Sequence, residues 1–422
     1  MTKRMLAVTW MMPPLVFPRS LQISRIFRAL HAQGWSIRAL AVPIDLEKNA
    51  LIDLDLADIY ADSYQLDFVE PREEVQPSPP GIKIHRKRNI AQETTLLSRN
   101  WVGRAAARAG WWIRQEFPQA LVTFGQPWVN HQVGLQIKKQ FPHIPWIAHF
   151  SDPWVDSPYY HGSSQEMEIA KQTEQEVIRE ADRILFTNED CADLVMAKFP
   201  ESWRTKVSVI GHCTDETLVS SQEPAAREET RRIVHAGNLY AGREPFALLE
   251  ALVKLAVCER KVCFTLDLVG VSTPALIQRV HDLGLSEKVR FFPAEPFIKS
   301  LTICKRADLL LVIDAPAAQS VFLPSKIFDY LPLGRPLLAL TPPLGATAKI
   351  FKKLQLPQVN CSDPKEILQI LLAVLDSWEQ GREAFPVPAP QSMAAFRAAN
   401  RALSWEREIE KAADRISPHL SS

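Results

Sequence analysis

The 422-residue sequence has no apolar run of the ~18 residues that a membrane-spanning helix needs. It also has no excess of either charge: 49 Lys and Arg stand against 48 Asp and Glu, for a formal net charge of +1. That balance excludes a generally basic nucleic-acid binder and an acidic disordered chain. Internal repeats and low-complexity tracts are missing. The six cysteines (Cys191, Cys213, Cys258, Cys263, Cys304 and Cys361) are too scattered for a disulfide framework. The closest pair, Cys258 and Cys263, lacks the two-residue spacing of a zinc or redox pair, and no His cluster joins it. No metal-ligand set and no Ser–His–Asp spacing of a hydrolase is found. Residues 1–16 place Lys3 and Arg4 before an apolar stretch, as a signal peptide does. Pro13 and Pro14 interrupt that stretch and no small-residue cleavage site follows, so it reads as a first buried strand. The expected setting is a reducing cytoplasm. What remains is ordinary globular material, 46% hydrophobic and 23% charged, with length for about two or three domains.

Short apolar runs alternate with helical stretches. Strands are expected at 5–10, 36–42, 121–124, 146–150, 183–187 and 207–210, then at 232–236, 264–269, 289–292, 309–313 and 336–340. Their length and continuous apolar character suit buried parallel strands. Helices are expected at 23–33, 163–181, 245–257, 274–283 and from Pro364 to about Trp378, the last opened by a Ser362-Asp363 cap. This alternation predicts α/β architecture in two Rossmann-like, doubly wound domains. The polar, aperiodic stretch SSQEPAAREETR at 220–231 reads as the linker. The expected domains are therefore 1–220 and 231–385, with a C-terminal amphipathic segment at 391–416 after a proline-rich break. Ligands of open α/β sheets sit at the carboxyl ends of strands, which places the expected site in a cleft between the domains.

Two stretches carry the expected chemistry. Residues 322–336, FLPSKIFDYLPLGRP, run from a loop at Pro324-Ser325 into a helix near Lys326. Free amides and a lysine at a helix start suit a phosphate. Asp329, four residues past Ser325 on the same face, suits the hydroxyls of a ribose. The competing reading is an ordinary capped helix with a surface Lys and Asp. Residues 235–245, HAGNLYAGREP, place Gly237 directly after a strand, where backbone approaches a ligand closely. Arg243 follows six residues later, suited to grip a diphosphate in a bidentate way; a solvated turn is the alternative.

The order and spacing of these pieces resemble the nucleotide-sugar domain of GT-B-fold glycosyltransferases, specifically the large retaining family 4 (glycosyl transferases group 1). Gly237-Asn238-Leu239-x-x-x-Arg243 is similar to that family's glycine-Arg-Leu-x-x-x-Lys-Gly stretch. Asp329 occupies the second acid of its E-x7-E motif, inside a PSKIFDYLPLGRPLL string. VIGHCTD at 209–215 looks like its IPNGVD segment. The stretch 291–308, with Pro296, is similar to the one whose backbone meets the base. The final segment, with Phe396 and Trp405, looks like its returning C-terminal helices. Two departures stand out: Val321 replaces the first acid of the motif, and Asn238 replaces the first cation.

The resemblance implies a retaining, hexosyltransferase-type enzyme. It would move a sugar from a nucleoside-diphosphate sugar to an acceptor hydroxyl, in bacterial polysaccharide or glycolipid biosynthesis, with no metal and no cofactor beyond the donor itself. Gly237, Asn238, Arg243, Ser325, Lys326, Asp329 and Pro296 would bind the donor. Arg243 and Lys326 would hold the departing diphosphate, and His131 and Asp152, near first-domain strand ends, would face the sugar and the acceptor hydroxyl. Family members carry glycines after the first strand; here Arg19, Ser20 and Gln22 suit an anionic or polar acceptor, a glycan or a lipid-linked one. The rival readings are a nucleotide-sugar epimerase on the same fold and a non-catalytic nucleotide- or sugar-binding module.

One stretch departs from the even charge balance. Between Lys83 and Arg114 stand eight basic residues and one acid, Glu93, for a local charge of +7, with three tryptophans interleaved. Trp101, Arg104, Arg108, Trp111 and Trp112 suit an interfacial helix on the anionic inner face of the cell membrane. Two other readings stand beside it: a site for an anionic acceptor, and an amphipathic helix with Trp in the core and Arg in solvent.

Overall fold

A computed structural model of the chain describes residues 3–46, 50–71, 96–219, 230–239 and 242–416, with only the backbone of 96–99. The chain divides into two units, Met1–Gly211 with Arg401–Ser422, and His212–Asn400. The linker expected at 220–231 lies almost wholly outside the described residues.

The first unit contains β1 (Lys3–Val8), β2 (Trp35–Ala41), β3 (Gln65–Phe68), β4 (Ala120–Phe124), β5 (Trp146–Phe150), β6 (Arg183–Phe186) and β7 (Val207–Val209). Its described residues form a parallel sheet in the order β3-β2-β1-β4-β5-β6-β7. The second unit contains β8 (Arg231–Ala236), β9 (Phe264–Val269), β10 (Val289–Phe292), β11 (Leu309–Ile313), β12 (Leu337–Thr341) and β13 (Gln358–Asn360). These strands are also parallel, in the order β10-β9-β8-β11-β12-β13. In each sheet the order reverses beside the first strand of the unit, where Rossmann-like folds bind ligands.

Every expected strand forms, within two residues at either end. β3 and β13 were not foreseen. QLDF and QVN are short, half-polar edge strands with no apolar run to reveal them. The central strands ALVTF, WIAHF, LLLVI and LLALT are buried along their whole length, because helices cover both faces. Apolar clusters fill both sides of the second sheet, one around Leu249, Leu266 and Leu375, the other around Val234, Leu310 and Phe328.

Local rules place the helices. Asp363 accepts from the amides of Lys365 (2.8 Å) and Glu366 (3.2 Å), with Pro364 at the first position of the helix Pro364–Glu379. The C-terminal helix Ala398–Ile416 carries Trp405, stacked on His149 at 5.4 Å between centroids. Its Glu408 meets Arg183 of β6 at 2.5 Å, both side chains being buried.

Candidate functional site

In the second unit, β8 ends at Ala236 and the chain passes through Gly237. A Cβ on Gly237 would overlap Cε and Nζ of Lys326, so the lysine lies directly across this glycine. Gly270, after β9, packs so closely on Gly237 that a Cβ there would come within 2.7 Å of the Gly237 carbonyl oxygen. Two glycines thus open the ends of adjacent strands, leaving backbone exposed to a close ligand. The short helix Lys326–Tyr330 is pinned at this edge by Tyr330, whose hydroxyl accepts from the Ala236 amide at 2.8 Å.

Charge gathers at the same place. Burial lowers the Lys326 pKa, and Arg243 lowers it further while Asp329 raises it. His235 is buried and neutral, its pKa lowered to about 3 by burial and by Lys326 and Arg243. Its Nδ1 sits 3.0 Å from the Leu311 carbonyl. Asp314, the first residue after β11, is buried and accepts from Ala315 N (3.1 Å), Thr341 Oγ1 (3.3 Å) and Thr347 Oγ1 (3.2 Å). Burial raises its pKa, opposed by Ser320, Arg243, the Ala315 amide and Thr347.

Gly237, Arg243, Ser325, Lys326 and Asp329 therefore share one strand edge, with Asn238 beside them. One expectation changes. The helix at Lys326 is five residues long, and its Ser325 makes no side-chain cap, so attraction for an anion rests on Lys326 and Arg243 rather than on a helix dipole. Asn238, where the family has its first cation, accepts from Val271 N at 3.0 Å through Oδ1 and pins the β9 loop. Pro296 caps the helix Phe297–Lys305 after β10, two strands from β8. Val321, in place of the motif's first acid, is half-buried.

In the first unit, Arg19 follows β1, His131 follows β4 and Asp152 follows β5, on adjacent strands. Arg19 is buried; burial lowers its pKa to about 10 and Asp152 raises it, so it stays charged at neutral pH. His131 is fully buried, with Nδ1 2.7 Å from Thr123 Oγ1. Burial and Arg19 lower its pKa to about 3. Held neutral by burial, the imidazole offers a hydrogen bond at its strand end. The expectation for Ser20 is corrected. It is fully buried, accepting from the Phe17 amide (3.0 Å) and lying 2.7 Å from the Leu15 carbonyl, so it fastens the start of the helix Pro18–His31. Gln22 sits 3.4 Å from Arg19 Nη1. Ser151 donates to Asp152 at 2.8 Å.

The tryptophan-rich helix Leu96–Glu116 divides differently from the interfacial reading. Trp101 is fully buried, edge-on to Trp10 at 5.1 Å. Trp112 is half-buried under the Arg38 guanidinium (3.3 Å) and donates to Asp67. Arg108 is paired with Asp67 at 2.6 Å. Arg104, Arg108 and Trp111, the last 42% exposed, keep the surface position expected for membrane contact, Arg108 with its charge already paired. Of the basic residues, Lys83, Arg86, Lys87 and Arg88 lie outside the described residues, as does the side chain of Arg99. Among the described residues, no helix is long and apolar enough to cross a membrane, and no three His, Cys, Asp or Glu side chains group to hold a metal ion.

Sequence reading missed Asp314, Tyr330, His235 and Gly270 in the second unit, and Thr123, Gly125 and Trp154 in the first. Asp314 carried a usable signal. It is the first residue, and a polar one, after the all-apolar strand LLLVI.

Residues 20–213 match the family described as "Glycosyl transferase 4-like domain". No curated protein sequence matches the chain. Solved structures match its fold over nearly its whole length. The sucrose-phosphate synthase of Thermosynechococcus elongatus is 15% identical, with a TM-score of 0.69 over 97% of this chain and 98% of that one. A UDP-N-acetylglucosamine 2-epimerase described from Listeria monocytogenes is 12% identical, with a TM-score of 0.61 over 98% of each chain. HepE of Anabaena, in complex with UDP-glucose, is 14% identical, with a TM-score of 0.59 over 99% of each. The fold is thus that of GT-B glycosyltransferases, with two parallel-sheet, Rossmann-like halves.

Proposed function

We propose that this chain, whose residues 20–213 match the glycosyl transferase 4-like family, moves a hexose from a nucleoside-diphosphate sugar to an acceptor hydroxyl with retention of configuration. The observation that carries the reading is the edge of β8: Lys326 lies across Gly237, with Arg243 close enough to lower the lysine's pKa. Two cations over exposed strand-end backbone suit a diphosphate, and negative charge on that group grows as the glycosidic bond breaks. Asp329 would take the ribose hydroxyls. Asp152, held by Ser151, would receive the acceptor hydroxyl. UDP-glucose bound by HepE supports a uridine nucleotide as donor class. In this reading the donor is the only cofactor-like ligand and no metal takes part. Arg104 and Trp111 would meet an anionic, cytoplasm-facing membrane, where a lipid-linked acceptor or growing glycan is presented.

The likeness to an epimerase keeps one rival on the same fold. A panel of nucleotide sugars screened by thermal shift, followed by incubation of the stabilising donor with and without glycan acceptors, separates the two. Stabilisation by a UDP-sugar with transfer only when acceptor is present is the expected result. An epimerised donor formed without acceptor would replace the proposal, and stabilisation without either product would point to a binding module.

A further inference from the structure

Four neighbouring strands of the first unit deliver their following residues to one edge: Arg19 after β1, Gly125 and His131 after β4, Asp152 and Trp154 after β5, and Cys191 after β6. Three buried donors there have no hydrogen-bond partner among the described residues: Arg19 Nη2, His131 Nε2 and Trp154 Nε1. Their residues are 7%, 0% and 1% exposed. Folded proteins leave few buried donors unpaired, and each costs about 1–3 kcal/mol. Such a set marks where a ligand supplies the missing acceptors.

The arrangement fixes the chemistry of that ligand. Trp146 Nε1 donates to Thr123 Oγ1 at 3.0 Å, and Thr123 Oγ1 lies 2.7 Å from His131 Nδ1. With the threonine hydroxyl donating onward to Nδ1, the imidazole proton sits on Nε2, the nitrogen without a partner. His131 and Trp154 have ring centroids 6.5 Å apart, and the stacked Trp128–Trp154 pair walls the place on one side. Gly125 lets these rings close on the strand end, since a Cβ there would come 2.4 Å from Trp128 Cζ3 and 3.0 Å from His131 Nε2. The orphans are a guanidinium, an imidazole N–H and an indole N–H, donors all. A neutral hydroxyl answers one or two of them. Several acceptor lone pairs carrying negative charge answer all three. The start of the 14-residue helix Pro18–His31, where Arg19 sits, adds in the same sense.

We propose that this edge of the first unit binds an oxyanion, a phosphate or carboxylate group, carried by the acceptor. Asp152 beside it takes a hydroxyl, so the acceptor presents an anionic group next to the hydroxyl that is glycosylated. The proposal rests on the transferase reading for the word acceptor alone; the anion site stands without it.

The test is calorimetric titration of the full chain with inorganic phosphate and, separately, with acetate, for the wild type and Arg19→Gln. Phosphate bound by Arg243 and Lys326 is common to both proteins, so their difference reads the first unit. The expected result is one anion bound by the wild type beyond any held by Arg243 and Lys326, and weakened about tenfold or more in the variant, the worth of one charge-assisted contact. Equal affinity in two folded proteins, or no binding of either anion by the wild type, overturns the proposal. Should Arg19→Gln fail to fold, Arg19→Lys keeps the charge and loses the planar fork; weaker binding supports the site and equal binding overturns it. Arg19-dependent anion binding with no sugar transfer would reject the transferase reading and leave this site. Transfer to a neutral acceptor, unaltered by Arg19→Gln, would do the reverse.

Discussion

The two units build the same strand-end edge from opposite materials. In the second, glycines lie where β8 and β9 end, and the half-buried side chain of Lys326 crosses them. In the first, tryptophans crowd the ends of β4 and β5, and the cation Arg19 is itself buried. Glycine lets a ligand reach backbone, which suits a diphosphate common to many donors. Aromatic walls with a few fixed donors suit selection of one acceptor. On the proposed function, one topology would yield a general grip and a particular one, the difference residing in side-chain bulk.

The largest effect expected of this comparison falls on the second edge. Arg243→Ala with Lys326→Ala should lower transfer by about 10³-fold or more, since each donor to a developing anion is worth about 10²–10³. The melting temperature should stay near the wild-type value, because neither side chain belongs to an apolar cluster. Unchanged turnover in the double variant would sink the mechanism.

A pair of glycine substitutions sharpens the contrast. In Gly237→Ala the new methyl meets the far end of a flexible lysine, which swings aside, but the alanine keeps a strained φ of +157°; transfer should fall about 10²-fold through misplacement of the ammonium, with a stability loss of about 1 kcal/mol from backbone strain rather than from packing. In Gly125→Ala the methyl meets the ring of Trp128, which is 4% exposed and stacked on Trp154 at 5.0 Å. A stiff buried ring cannot yield, so the cost should appear as about 1–3 kcal/mol of stability. Melting curves and transfer rates of the two variants check the pair; the opposite assignment would erase the distinction.

A smaller effect concerns buried acids. Glu174 is fully buried, and burial lifts its pKa from 4.5 to about 7 against the pull of Lys198, 2.6 Å away. An acid whose folded pKa is raised holds its proton more tightly in the folded state. Its contribution is present below the unfolded value of 4.5 and lost as pH rises toward 7. Stability of the first unit should therefore decline between these values, and Glu174→Gln should flatten the decline. Urea unfolding across that range, followed by the signal of first-unit tryptophans, measures it. An identical slope in the variant would remove Glu174 as its source.

Much of this architecture was legible in the sequence because buried parallel strands are written as uninterrupted apolar runs. β11, LLLVI, could hardly be read otherwise, whereas the edge strand QVN leaves no such mark. At the sites, residue type and position after a strand were enough to gather Gly237, Arg243, Lys326 and Asp329. What failed was knowing which polar groups the fold consumes. Ser20 and Trp101 carry suitable chemistry, yet the helix start takes one and the core takes the other. A linear pattern shows that a helix has two faces, but not what packs against each. Asp314 escaped for a related reason, since its partners Thr341 and Thr347 come from distant segments that only the sheet brings together.

The account turns on the second unit holding the nucleotide. Hydrogen–deuterium exchange of the full chain, with and without UDP, tests this most directly. Slowed exchange at 237–243 and 320–330 upon UDP addition is the predicted result. Slowed exchange confined to the first unit, or found nowhere at saturating UDP, would contradict it.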